Sequence, residues 1–298
     1  MRIIYCDSVF DNKLVESDYE EEMNAAKKAG FETSLLSFEN LNEGNIAQAL
    51  KFINNSEQNE VAIYRGWMLK PVVYEKLFNA LLEKNIILIN SPAEYIHCHY
   101  LPESYEKIKL FTPKSNWTND ISDKSLELLL SDFGENSIIV KDYVKSEKHN
   151  WIDACFIPNA SNKIQAKKVI DNFLELRGNT LNEGIVFRKF EELEFLTEHS
   201  LSGMPLTKEF RIFFLDKKIV KIFNYWDEGE YNDLHPELDQ FIEIAQNIGS
   251  NFFTMDVAQK KNGEWIIIEL GDGQVAGLPD NGDKEVFYHS LKEILNKK

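Results

Sequence analysis

FFTMDVAQKKNGEWIIIELGDGQ, residues 252–274, carries both a hairpin signal and two acidic residues whose relative position that hairpin sets. Asn262-Gly263 tolerates the positive φ that a two-residue type I′ turn demands at both positions. Counting outward from such a turn puts Lys261 opposite Glu264, Lys260 opposite Trp265, Ala258 opposite Ile267 and Asp256 opposite Glu269, provided no bulge intervenes. Directly opposed residues of an antiparallel pair hold their Cβ atoms about 5 Å apart, where like charges destabilise. A divalent cation of the magnesium class, which takes oxygen ligands from one or two carboxylates and from substrate phosphates, would neutralise them. The alternative is an exposed, salt-screened pair; the apolar neighbours Phe253, Met255, Val257, Ile266 and Ile268 argue against it.

The 298-residue chain is 43% apolar and 12% aromatic, too rich in both for disorder and long enough for one large domain or two. Its formal net charge of −16 sets the whole-chain field against polyanions, so nucleic acid is not an expected partner, although a local basic groove stays open. Cys6, Cys98 and Cys155 are odd in number and far apart, which indicates neither a disulfide framework nor a CxxC metal site and fits a reducing, cytoplasmic setting. No stretch approaches the ~18 apolar residues of a membrane span, and MRIIYCDSVF lacks a long signal-type apolar run, so no membrane partner is expected.

Strand and helix signals alternate through residues 1–110. Ile3–Tyr5, Thr33–Leu36, Val61–Tyr64 and Ile86–Ile89 read as strands, with helices over 17–29, 45–53 and 72–83 between them. That rhythm predicts a Rossmann-like parallel sheet. CDSVFDN, after the first strand, has no glycine, which excludes the dinucleotide fingerprint. From Phe111 the strands read as antiparallel, over 137–145, 184–190, 210–215 and 219–225, with helices over 163–176 and 236–248. The expected fold is therefore α/β followed by α+β, with lobes over 111–187 and 188–298 and the loop SPAEYIHCHYLPES at the boundary.

Three further segments set charges inside apolar strands. In SIIVKDYVK, Ile139, Lys141, Tyr143 and Lys145 share one face by the period-2 rule, which suits either phosphates or solvent. In GIVFRKFEELE, Arg188 and Lys189 point to opposite faces, and Glu191, Glu192 and Glu194 follow at a strand-to-loop junction fit for an adenine ring and a ribose. In KEFRIFFLDKKIVKIFNYW, Glu209 and Arg211 share a face, so Arg211 either pairs with Glu209 or meets an anionic ligand. His97 and His99 flank Cys98 without a zinc-spaced partner and read as surface or boundary residues. No GxSxG occurs, so a hydrolase triad is unsupported.

In their order along the chain, VKDYVKS, VFRKF, KEFRIFF and IELGDGQVAGL resemble the ATP-grasp superfamily, and within it the clade of phage and bacterial proteins named for a signature arginine and two lysines. The likeness spans essentially the whole chain and is strongest over residues 138–278. It implies a two-lobed domain with ATP and Mg2+ between the lobes, and an ATP-dependent carboxylate–amine ligase of peptide or amino-acid type. A carboxylate is phosphorylated by ATP, and an amine then displaces phosphate from the acylphosphate. Matched residue by residue, Lys141 meets the phosphates with Lys145 as a second cation, and Arg211 lies near the transferring phosphoryl group. The implied nucleotide set also takes in Arg188, Lys189, Phe190, Glu191, Glu192, Leu193, Glu194 and Glu209, while Asp256 and Glu269 match the metal ligands. Relatives close their last strand with Glu-x-Asn; here Glu269-Leu270-Gly271-Asp272 stands, which makes Asp272 the candidate replacement ligand. A flexible glycine-rich loop common among relatives is replaced by SEKHN between Lys145 and Trp151. Substrate specificity falls to the N-terminal domain, where Arg65, Trp67 and the loop through Tyr100 are candidates, Arg65 either for a substrate carboxylate or for a capping or surface role. Two alternatives are a noncatalytic nucleotide-binding interaction protein and a lysine-adenylylating nucleic-acid ligase; Lys141-Asp142 does not continue into the K-x-D-G pattern of the latter. Oligomeric state stays open.

Overall fold

The computed structural model describes residues 1–200, 205–232 and 234–297. Strands β1 (Arg2–Cys6), β2 (Glu32–Leu36), β3 (Glu60–Arg65) and β4 (Ile86–Leu88) form a parallel sheet in the order β2-β1-β3-β4, as the alternating signals predict. Helices α1 (Glu20–Lys28), α2 (Phe38–Asn42), α3 (Ile46–Ala49) and α4 (Pro71–Leu82) connect them. Gly30, at φ +81°, ends α1, and Pro71 opens α4 where its missing N–H costs nothing. The helix expected over 45–53 is only the single turn α3. The expected boundary loop is also helical: α5 (Pro92–His99) and α6 (Leu101–Ile108) fill it, and Ser91 and Glu94 close a capping box ahead of α5.

A second sheet, in the order β5-β8-β6-β7, holds β5 (Ser115–Thr118), β6 (Ile138–Asp142), β7 (Phe156–Ile157) and β8 (Ile185–Lys189), all antiparallel. It packs through Val140, Ile185 and Phe187 on α7 (Asp123–Ser131), α8 (Trp151–Ala154) and α9 (Lys163–Arg177). Strand β6 stops at Asp142, short of the expected Lys145. The Asp142 carboxylate accepts from the N–H groups of Val144 (2.7 Å) and Lys145 (2.5 Å) and turns the chain, so Lys141 and Lys145 do not share a strand face.

After a ribbon of β9 (Phe195–Glu198) and β10 (Pro205–Thr207), the third sheet follows in the order β12-β11-β13-β14, from β11 (Glu209–Leu215), β12 (Lys218–Asn224), β13 (Phe252–Gln259) and β14 (Trp265–Asp272). One face buries Phe210, Ile212, Phe214 and Met255 with α10 (Leu238–Ala245). On the other, Phe213, Leu215 and Phe252 pack with Ile3, Tyr5 and Ile63 of the first sheet and with Phe287 of α11 (Lys284–Asn296). Glu209, Arg211 and Asp256 lie farther along that second face, beyond its apolar end. All three cysteines are free and buried, and among the described residues no helix is long and apolar enough to cross a membrane.

The deciding hairpin forms with a different turn. Lys261-Asn262-Gly263 makes a three-residue loop in which only Gly263 takes a positive φ (+90°), and the strands pair one residue off the expected register, Ala258 with Ile266 and Gln259 with Trp265. A bulge at Ile268 removes the offset, and Asp256 faces Glu269 as predicted. The type I′ geometry occurs instead at Asp216-Lys217 (φ +48° and +65°), between Leu215 and Lys218.

Candidate functional site

Five strands from two sheets deliver charge to one place. Arg211 of β11 forks onto Asp256 of β13, Nε donating to Oδ1 and Nη2 to Oδ2 at 2.8 Å each, while Nη1 donates to the Gly277 carbonyl at 3.0 Å. Its guanidinium lies 4.8 Å from the centre of the Tyr225 ring. Glu269 of β14, on the same face, meets the buried Lys141 ammonium of β6 at 3.5 Å, a contact between the second and third sheets. Arg188 of β8, opposite Ile139 and so on the Lys141 face, donates through Nη2 to Thr112 Oγ1 (2.8 Å) and to the Ile267 carbonyl beside the bulge (3.1 Å).

The field at these carboxylates is set by opposing effects. Burial would raise Glu269, but Lys141 first, then Arg211, Lys148 and Arg188, together hold it below the ordinary glutamate value. Burial outweighs the Arg211 contacts at Asp256 and, with Glu269 nearby, raises that group. Glu209 does not pair with Arg211; it accepts from the Thr207 hydroxyl, and burial, with Asp256 and Glu269 adding repulsion, raises it to about 7. Burial lowers Arg188 to about 10 against the pull of Glu269.

Lys148 was not singled out by the sequence. It follows the turn after β6, in the segment standing where relatives carry a glycine-rich loop, and its ammonium lies 4.9 Å from the Trp226 ring centre and 5.8 Å from that of Tyr225. It acts on Asp256, Glu269 and Glu209 alike, whereas the exposed Lys145 enters none of those three balances. Its one sequence signal was a lysine in the segment that replaces the expected loop.

The junction after β8 bridges the two sheets through its backbone: Phe190 N–H to Ser137 O (2.9 Å), Glu194 N–H to Gln259 O (2.7 Å) and Lys261 N–H to Glu192 O (3.0 Å), with Leu193 bridging Lys260. None of these bonds uses the Glu191 backbone. Lys189 pairs with Glu191 (2.9 Å), Lys261 with Glu192 (3.2 Å) and Lys208 with Glu194 (3.7 Å), and Phe190 packs edge-on to Phe156.

Asp272 is not brought to this cluster. It points from the opposite face of β14, fully buried, accepting from Asn90 Nδ2 (2.6 Å) and from the backbone N–H (2.9 Å) and Nε2 (3.2 Å) of Gln274, and burial raises it to about 7. Arg65 is likewise committed: it is 1% exposed, forks onto Glu22 (3.0 and 2.8 Å) and donates to the carbonyls of Gly273 and Ala276 at 2.7 Å each, so it holds a loop rather than a substrate. His99 is buried between the rings of Tyr95 and Tyr100, and burial lowers it to about 4, which overturns a surface position. A cavity of about 200 Å³ adjoins Arg211, walled by Tyr225, Gly277, Leu278 and Pro279.

Among the described residues no group of three or more His, Cys, Asp or Glu side chains could hold a metal alone. Both Asp256 oxygens already accept from Arg211, though each keeps a further lone pair, and Glu269 is 38% exposed. This all-oxygen donor pair fits a magnesium ion that arrives with phosphates, not one caged by protein.

A family model described as "ATP-grasp domain, R2K clade family 3" matches residues 132–291. The crystal structure of a RimK domain ATP-grasp protein from Sphaerobacter thermophilus superposes with a TM-score of 0.60 at 10% identity, covering 98% of both chains. The ATP-grasp ligase PsnB, solved with a minimal precursor, Mg and ADP, gives a TM-score of 0.53 at 13% identity over 99% of this chain and 97% of that one. A curated relative, a probable transcriptional regulatory protein of Ureaplasma parvum, is 23% identical over 171 residues, 49% of this chain and 70% of that protein, and at that identity names no family for it.

Proposed function

The chain belongs to the ATP-grasp family, in the R2K clade, and from that premise we propose that it is an ATP-dependent carboxylate–amine ligase working through an acylphosphate. The substrate carboxylate oxygen forms a bond to the γ-phosphorus as the bond to the β-phosphate oxygen breaks and ADP leaves. An amine nitrogen then attacks the acyl carbon, the C–O bond to phosphate breaks, and the amine loses a proton. Such transfer asks the protein mainly for positioning and for cations where negative charge gathers.

Lys141 and Lys148 face the phosphates, Lys148 taking the place first given to Lys145, which stays at the rim. Arg211, held in aim by Asp256 and the Gly277 carbonyl, stabilises the transferring phosphoryl group. The adenine ring lies against residues 190–194, where the Glu191 backbone supplies a donor and an acceptor. Glu269, with Asp256, would hold the magnesium ion, whose chemistry is to screen the triphosphate charge; Asp272 has no part in this.

The observation that carries the proposal is the meeting of Lys141 from one sheet and Arg211 from another at the Asp256–Glu269 pair. The test is an ADP-release screen over amino acids and peptides with magnesium. Release that depends on a carboxylate and an amine, and that Glu269→Gln abolishes without loss of fold, supports the ligase. ATP binding with no release across the panel favours a nucleotide-binding interaction protein.

A further inference from the structure

At the C-terminal end of the first sheet, where its central strands β1 and β3 finish, apolar side chains stand that no described residue covers. These parallel neighbours pair Tyr5 with Arg65, so the segments following them leave the sheet side by side. Phe10 is 99% exposed at the tip of a loop closed by the Ser8 N–H to Leu14 carbonyl bond, and Leu14 is 59% exposed at its base. From the neighbouring loop come Trp67, its ring 5.5 Å from that of Tyr19, and Met68, 40% and 43% exposed. Single exposed apolar residues are ordinary; several gathered at one end of a sheet mark an interaction surface.

Acidic residues surround it. Asp11, Asp18 and Glu20 are exposed in the same stretch, Glu16 is half-buried, and Glu39 lies close enough to act, with Glu16, on Asp7. None of Asp11, Glu16, Asp18, Glu20 and Glu39 has an ion-pair partner among the described residues, and the nearby cations in sequence are Lys13 and Lys70. This end of the sheet also adjoins the reaction cleft: Gly66 N–H donates to Gln274 O (3.4 Å), and the loop from Gln274 runs on into Gly277, Leu278 and Pro279 of the Arg211 cavity.

We propose that this rim docks a peptide partner, an apolar segment flanked by basic residues, and holds it at the mouth of the Arg211 cavity as the substrate. Docking stands on the surface itself; the substrate role rests on the ligase reading. A rim of apolar side chains ringed by unpaired carboxylates selects this chemistry over an acidic or wholly polar peptide, and over a second copy of a chain whose net charge is −16.

The test is anisotropy without nucleotide, using three short labelled peptides: lysine flanks around Leu-Phe-Leu, glutamate flanks around the same core, and lysine flanks around Ser-Ser-Ser. The first should bind saturably and the other two at least about tenfold more weakly; Phe10→Ser with Met68→Ser should cost the first about tenfold with unchanged melting temperature. Absence of binding, equal binding of all three, or indifference to the double variant overturns docking. So does a concentration-dependent dimer that the double variant dissolves, which would make the rim a self-interface. The two readings fail separately. Docking without ADP release from any substrate removes the ligase, and release from small amino acids that the double variant leaves unaltered, with no peptide bound, removes the docking.

Discussion

Asp256→Asn should unfold this protein at a distinctly lower temperature whether or not nucleotide binds. Its carboxylate is 3% exposed and takes two guanidinium bonds of 2.8 Å from Arg211, itself 17% exposed. At that distance and an effective dielectric of about 20, the attraction is about 6 kcal/mol before desolvation is counted. Removing one partner of a buried pair leaves the other charge uncompensated, for a net loss of about 3–5 kcal/mol, or roughly 10 °C in melting temperature for a chain of this size. Arg211→Met alone should lose a similar amount. Because a buried ion pair often breaks even against apolar residues of similar volume, Arg211→Met combined with Asp256→Leu should recover most of the loss while ADP release stays absent. Denaturant unfolding of the two singles and the double closes the cycle. A loss below about 1 kcal/mol for Asp256→Asn, or additive losses in the double, would refute a buried, mutually neutralising pair.

Asp272, raised to about 7 by burial, holds its proton in the fold over a range in which the unfolded chain has lost it, so stability should fall as pH rises from about 4 to 7 and level off above. Glu209 adds to that slope, while His99, lowered to about 4, opposes it below about pH 6.5; the difference in unfolding free energy between wild type and Asp272→Asn across that window isolates the Asp272 part, and an unchanged slope would refute it. Lys148→Ala should weaken ATP binding about tenfold or more by titration calorimetry, and Lys145→Ala much less; equal effects would return Lys145 to the phosphates. Arg65→Leu should destabilise by about 3–5 kcal/mol, because it leaves Glu22 buried without its cation; a variant of unchanged melting temperature that loses only substrate affinity would restore the substrate role.

Much of this site was legible along the chain because it depends on short-range rules. Period-2 alternation placed Glu209 with Arg211, counting outward from the Asn262-Gly263 turn set Asp256 opposite Glu269, and the βαβ rhythm named the parallel sheet. Even there one success came through two departures that cancelled: a three-residue loop moved the register by one, and the Ile268 bulge moved it back. The Ser91-Pro92-Ala93-Glu94 start of α5 was also written in the sequence as a capping box, yet the segment reads as a loop when proline is weighed only as a breaker.

By itself, the sequence determined which residues share a strand, which side of that strand they take, and the order of motifs that resembles the ATP-grasp family. Tertiary structure alone decided that Arg211 closes on Asp256 rather than Glu209, that Lys141 meets Glu269 across two sheets, that Lys148 is the lysine acting on Asp256, Glu269 and Glu209, and that Asp272 and Arg65 are locked into the contact with the first sheet. The physical reason is reach. A turn or a pleat acts over a few residues, whereas the partner of a buried charge is whichever opposite charge the packing of distant elements brings within about 3 Å.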